Sequence, residues 1–600
     1  MHRLATRLLG LTLLGAALCA PALGAGNVAY LRLKGEVPER ERMASPLFSL
    51  KEGPGTLREI VEAIDEAAKP SRQVDGLVIR TTELGLNSSQ IDEVGAALKR
   101  FRAAGKKVHF FTEIYGPAEL ALASYADEVL MQSGGAVSLP GLYMEEMFLA
   151  DALRTVGVTP DFVQIGDYKG AQEMYANSRP SPQWDQNINQ LLDSLFERSV
   201  DRIAAGRGLT REQVEEAMEH CFLADGALAK KFHLIDDSID RLDLEARLET
   251  LYGKDFTWDP ELSPQERDGA DIASMGFFEA FSQFMKMLEQ SAAAPSRETI
   301  AIVHIDGAIM DGESSGGGFL SEPTVGSLTI RKTLAELEDD ALIKGVIVRI
   351  NSPGGSAIAS DSIWLGVRRL AKTKPVWVSV GSMAASGGYY IAVAGQKIYV
   401  TPSSIVGSIG VVGGKLALQG LYDKLHINVV ARSRGPMASV MGALAPWSEK
   451  ERDLVRARMQ ETYNLFVSRV TAGRPEINIA QTAEGRLFAG QKALEMKMAD
   501  QIGGLSMAIS DLATSLGLHE GAFDVVDYPA PKSFEEMLQD MLPMAQAGRA
   551  VSLPDLPSLQ ALRALVGPGA WSQLQRALQG AMLLRREPVV LVTPSVLIVK

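Results

Sequence analysis

The residues best suited to chemistry sit in VGSMAASGGYYIAVAG (380–395), where Ser386 separates a strand-like run (376–380) from a helix opening at Gly387-Gly388. A hydroxyl at such a turn is exposed and lies at the positive end of a helix, where developing negative charge is stabilised. A serine at a helix start is more often an N-cap than a nucleophile, so the position alone decides nothing. Upstream, Asn351-Ser352-Pro353-Gly354-Gly355 forms a tight turn into a second helical stretch, SAIASDSIWLGVRRLA. Its two glycines leave backbone N–H groups free to face a ligand, which is what an oxyanion hole requires. A nucleophilic serine also needs a base. No histidine follows Ser386 closely, and His304 lies on an earlier strand. The other candidate is Lys169 in DFVQIGDYKGAQEMYANSRPSP. A lysine at its reference pKa of about 10.4 is charged at neutral pH, but burial away from carboxylates favours the neutral amine. Neutral Lys169 could take the proton of Ser386 and return it to a leaving amine. Ser408, in TPSSIVGSIGV, is a candidate to orient the amine; its plain alternative is a strand-end hydroxyl.

What positions these residues is a duplication. NVAYLRLKGEV (27–37) is matched by TIAIVHIDGAI (299–309), and DGLVIR (75–80) by KGVIVRI (344–350). KKVHFF (106–111) then pairs with KPVWVSV (374–380), and YADEVLM (125–131) with AGQKIYV (394–400). The order is the same in both halves. Short β-branched runs alternate with helical stretches, which predicts repeated β-α units on a mainly parallel sheet. Helical extensions follow each copy, at 183–250 and 448–515. The copies differ where chemistry would occur. Thr82-Glu83-Leu84-Gly85-Leu86 replaces the Gly-Gly turn in the first copy, Pro117 stands at the place of Ser386, and the second copy has Pro436 opposite Lys169. Complementary loss is what a dyad shared between two halves leaves behind.

Composition narrows the function class. A formal charge of −13 argues against a phosphate-backbone binder. Two cysteines and seven scattered histidines offer no disulfide scaffold and no zinc spacing. Residues 1–24 carry Arg3 and Arg7, an apolar Leu8–Leu18 core and a small-residue site at 22–24, the pattern of a cleavable signal peptide, with a short uncleaved anchor as the alternative. Without Cys19, Cys221 is left alone and reads as a small buried apolar residue. Residues 277–288 place Phe277, Phe278, Phe281, Phe284, Met285 and Leu288 on one helical face, read as a packing surface. The run 312–318 reads as a flexible loop, since it lacks the ending of a phosphate loop.

SMAASGGYYIA, INSPGGSAIAS, SSIVGSIGV and GDYKGAQE together resemble the signal peptide peptidase A (protease IV) family in its long tandem form, over about residues 27–520. The resemblance implies an α/β chain of two ClpP/crotonase-like units with helical extensions. It places the nucleophile on Ser386, the general base on Lys169, the lysine-orienting hydroxyl on Ser408 and the oxyanion donors on Gly354 and Gly387. It further implies a serine endopeptidase for short apolar peptides such as released signal peptides, with no cofactor and no metal. The expected setting is a homotetramer at a membrane surface, exported to the periplasmic side of the inner membrane, with no nucleic-acid partner. The expected organisation is a signal segment (1–24), a lysine-bearing repeat (25–254), a linker (255–298), a serine-bearing repeat (299–520) and a tail (521–600). Two alternatives stand beside it. An acyl-CoA enzyme of the crotonase type would share the glycine turn but usually needs Glu near it, and 351–360 has none. A peptide-binding scaffold would need no chemistry at all.

Overall fold

The computed structural model describes residues 26–40, 55–259, 295–316, 322–529 and 590–592. The signal-like segment and the Phe-rich stretch at 277–288 lie outside the described residues, as does most of the tail; of the 312–318 loop, residues 312–316 are described.

The first half builds a parallel sheet from β1 (Asn27–Gly35), β2 (Gly76–Leu84), β3 (Lys107–Tyr115), β4 (Glu128–Val137), β6 (Asp237–Ile239) and β7 (Thr257–Asp259), in the order β6-β4-β3-β2-β1-β7. The second half repeats the parallel arrangement with β8 (Thr299–Asp306), β11 (Ile343–Ser352), β13 (Val376–Ala385), β15 (Ile405–Gly407) and β19 (Asp524–Tyr528), and adds β17 (Leu487–Ala489) antiparallel to β15 at the edge, in the order β17-β15-β13-β11-β8-β19. Two short strands, β14 (Ile398–Val400) and β18 (Gln501–Ile502), branch from β13. The duplication predicted from sequence is therefore a duplication of topology. The β-branched runs explain the parallel sheets: helices cover both faces, so TIAIVHI in β8 is buried throughout. The sheets extend past the expected boundaries. β7 lies in the stretch read as linker and pairs with β1; β19 lies beyond residue 520 and pairs with β8 in the equivalent place. Cys221 is free and fully buried, as expected.

A third sheet joins the halves. It comprises β10 (Thr324–Gly326), β9 (Ala308–Met310), β12 (Gly354–Ser356), β20 (Val590–Val592), β16 (Val411–Ala417) and β5 (Thr159–Ile165), in that order. β5 belongs to the first half, yet it pairs antiparallel with β16 along its whole length, Thr159 opposite Ala417 and Ile165 opposite Val411.

Buried polar groups fasten the same junction. Arg349 on β11 donates from Nε to Glu39 at 2.9 Å and from Nη2 to Glu93 at 2.6 Å, both carboxylates coming from the first half. Asp92 receives Arg198, Arg202 and the N–H of Ser403. Asn187, in the helix Pro182–Arg207, donates to the carbonyl of Leu487 (3.2 Å) and accepts its N–H (2.9 Å). Charges and amides buried this way are tolerated only because each finds a partner, and Arg349, Asp92 and Asn187 find one across the interface.

Candidate active site

Ser386 follows β13 directly and precedes the helix Gly387–Ala392. Its backbone is held at φ 54° and ψ −114°, an uncommon conformation for a residue with a Cβ and one that costs on the order of 1–3 kcal/mol. Two hydrogen bonds enforce it: Ser386 N–H to Gly407 O (2.8 Å) and Tyr390 N–H to Ser386 O (2.8 Å). The side chain caps no helical N–H, so the N-cap alternative does not describe it. A methyl added at Gly387 would meet Ser360 Oγ at 2.4 Å and Gly354 Cα at 3.3 Å, so the start of this helix lies directly against β12. The N–H of Gly354 donates to Ser352 Oγ at 3.1 Å.

Lys169 reaches this place because β5 is zipped to β16. Beyond β5 the chain turns at Gly166, Lys169 N–H donates to Gly166 O (3.1 Å), and Tyr168 N–H donates to Glu484 O (2.8 Å) in the second half. The Arg486 guanidinium sits 3.9 Å from the centre of the Tyr168 ring, a cation–π contact. Lys169 Nζ then lies 2.6 Å from Ser386 Oγ, 2.9 Å from Ser408 O and 2.9 Å from Ser408 Oγ. Lys169, Ser386 and Ser408 are all buried. A neutral amine has two N–H groups and one lone pair. Two acceptors on Ser408 and one hydroxyl on Ser386 match that inventory. Burial alone drives the lysine's pKa well below its ordinary value of 10.5, with no carboxylate to hold the proton on.

Sequence reasoning singled out Ser386, Lys169, Ser408, Gly354 and Gly387, and the fold gathers all five. It overlooked the segment that grips the lysine from behind. Gly485, at φ +88°, packs so closely that an added Cβ would stand 2.4 Å from Lys169 N and 2.6 Å from its Cα. The N–H of Ser408 donates to Arg486 O (2.6 Å), so the same segment also carries Ser408. In TAEGRLFAG, such a glycine reads as an ordinary turn. His304 faces Asp527 rather than this site, 2.8 Å from Nε2 to Oδ1.

The sequence model of Peptidase family S49 matches residues 100–253 and again 368–519, half of the chain and in tandem. The chain belongs to peptidase family S49. A Clp protease model also matches residues 324–406 of this S49 peptidase. It is 29% identical to "Protease 4" of Haemophilus influenzae, covering 75% of this chain and 72% of that protein. It is 28% identical to the chloroplastic "Serine protease SPPA" of Arabidopsis thaliana, over 81% of this chain and 68% of that one. The "Putative signal peptide peptidase SppA" of Enterococcus faecium is 31% identical over 40% of this chain and 69% of its own length. This S49 member is a serine endopeptidase, and the acyl-CoA alternative finds no support.

Proposed function

We propose that this peptidase works through a Ser/Lys dyad assembled from its two halves, 25–254 supplying the base and 299–520 the nucleophile. The observation that carries the reading is the 2.6 Å approach of Lys169 Nζ to Ser386 Oγ in a buried site. Ser386 Oγ attacks the peptide carbonyl carbon as its proton passes to Lys169 Nζ. The resulting oxyanion is received by the N–H groups of Gly387 and Gly354, the latter exchanging Ser352 Oγ for the substrate oxygen. Collapse breaks the C–N bond, and the lysine ammonium gives its proton to the leaving amine. Water then attacks the acyl-enzyme while the free amine takes its proton, releasing the carboxylate product and Ser386. Ser408 orients the lysine throughout.

The substrates are short apolar peptides such as released signal peptides. Beside the dyad, Val412 is buried with Phe162, Ala171 and Met310 packed around it, a subsite for an apolar side chain built from both halves. The name of the Enterococcus faecium relative points the same way. The setting is the periplasmic side of the inner membrane, in a homotetramer. Exposed Leu425, Ile427, Val429 and Val430 offer an apolar surface for a neighbouring subunit or lipid. Among the described residues no helix is long and apolar enough to cross a membrane. The deciding experiment is labelling with a serine-reactive phosphonate. Ser386 should be modified in the intact protein and spared in Lys169→Ala; equal labelling without the lysine overturns the dyad.

A further inference from the structure

The strand β20 comes from the part of the chain that neither repeat accounts for, and it lies beside the dyad. Its three residues run antiparallel to β12, with Val592 opposite Gly354, Leu591 opposite Gly355 and Val590 opposite Ser356. On its other side Val590 pairs with Val412 of β16. Three residues thus bridge two strands that do not otherwise touch in the sheet order. Both neighbours adjoin the site: Gly354 packs on Gly387, and β16 begins three residues after Ser408. The chain direction matters as well. The C-terminal end of β20, at Val592, is the end opposite Gly354, the residue that packs on Gly387 next to Ser386. An acyl segment awaiting attack would enter in this orientation, its preceding residues paired along β12 and its carbonyl at the serine. Val590 is fully buried in the apolar subsite with Val412, Phe162, Ala171 and Met310.

We propose that residues 590–592 are a resident occupant of the peptide groove, held in cis between Gly354–Ser356 and Val412, so that peptide substrates must displace them to reach Ser386. The inference rests on the reading of this groove as the substrate's. Strand addition draws its affinity from main-chain hydrogen bonds and its selectivity from side-chain pockets, and β20 pairs on both edges and seats Val590 in one such pocket. Three residues bind weakly, but belonging to the same chain makes their binding intramolecular. An intramolecular competitor whose effective concentration is about ten times its own Kd raises the apparent Kd of a competing peptide about tenfold.

The test reads binding rather than hydrolysis, so it is separable from the fate of the dyad. In full-length Ser386→Ala protein, the affinity of a dye-labelled copy of residues 588–593 is measured by anisotropy, with and without Val590→Asp or Val590→Pro. Aspartate would bury a carboxylate among apolar groups, and proline cannot donate to either neighbouring strand. Both variants should bind the probe about tenfold tighter than the parent; equal affinity overturns the proposal. Hydrogen exchange on full-length Ser386→Ala with an unaltered tail gives a second readout. The amides of 590–592 should be protected and should lose protection when the probe saturates, while 354–356 stay protected. Fast exchange at 590–592 without probe overturns the occupancy, and protection that vanishes on dilution overturns the assignment in cis. If the probe results hold while Ser386 and Lys169 variants still hydrolyse peptides, the dyad fails and the occupant stands.

Discussion

Lys169 and Ser386 stand 217 positions apart in the chain, and their side chains meet at 2.6 Å. The meeting depends on an antiparallel pairing, β5 with β16, that crosses from one repeat to the other. Neither half holds the whole cluster, since Ser386, the glycine turn and Ser408 lie on one side and Lys169 on the other.

Residues acting as a unit should fail as a unit. Ser386→Ala and Lys169→Ala are each expected to lower kcat for a peptide substrate by about 10³-fold or more, and the double variant should be no worse than either single one. Lys169→Arg should be equally impaired, because a guanidinium keeps its proton and cannot serve as base. The check is steady-state hydrolysis at constant pH with melting curves alongside; multiplicative losses would mean independent roles.

The buried lysine also makes a statement about pH. In the proposed dyad its working form is the free amine, so kcat should rise with pH through the depressed pKa and level off well below 10.5, the ordinary value. Stability has the same sign. Between the depressed and the ordinary pKa, the unfolded chain holds a proton that the folded one does not, so folding becomes more favourable as pH rises across that window. Lys169→Met removes the linkage. It should be inactive yet melt higher than the parent at pH 7, with the advantage shrinking as pH approaches the ordinary lysine range.

How far the site could be read from one sequence depended on whether the relevant signal was local. Ser386 and Lys169 were legible because the duplication supplied an internal comparison, each copy lacking what the other keeps. The strand before Ser386 read as ending at residue 380, whereas β13 continues to Ala385 because Met383, Ala384 and Ala385 pair with β15. The grip of Gly485 on Lys169, the brace of Asn187 on Leu487 and the position of β20 left no local pattern. Each depends on which surfaces of the two halves meet, and neither hydrophobic period nor turn chemistry records that. The charged anchors Glu39, Glu93 and Arg349 were invisible for the same reason, since in isolation each reads as a solvated side chain.

Gly485 is a positioning residue whose effect should be selective. Gly485→Ala forces a Cβ against the backbone of Lys169 at a positive φ that alanine adopts poorly. The lysine must move, so kcat should fall at least about tenfold, the scale expected for a misplacement near 1 Å. KM should change little, because β12 and β16 are untouched. Phosphonate labelling of Ser386 should slow in parallel; a KM effect without a change in labelling would assign Gly485 to the groove instead.

Asn187 tests the brace without touching the dyad. Asn187→Ala strands the buried N–H and C=O of Leu487, at about 1–3 kcal/mol for each unsatisfied group. β17 pairs with β15, which leads into Ser408. The variant should therefore melt lower and lose kcat, and Asn187→Asp should recover only the half of the contact in which Leu487 N–H is the donor.

Arg349 holds the two halves through charge, and its removal should carry a pH signature that loss of packing alone would not. Arg349→Met leaves Glu39 and Glu93 buried without their cation, at a cost of about 3–5 kcal/mol near neutral pH. Burial already pushes the Glu93 carboxyl above its ordinary range, and without the arginine the push is stronger. A carboxyl with a raised folded pKa binds its proton more readily in the folded state, so the penalty is full above that pKa and fades as pH falls toward the ordinary carboxylate range. The melting deficit of Arg349→Met should accordingly be largest at pH 7 to 8 and shrink by pH 5. Adding Glu39→Gln and Glu93→Gln should recover most of it at neutral pH. A deficit that is flat with pH and unmoved by the glutamines would mean that Arg349 acts through its volume and not its charge.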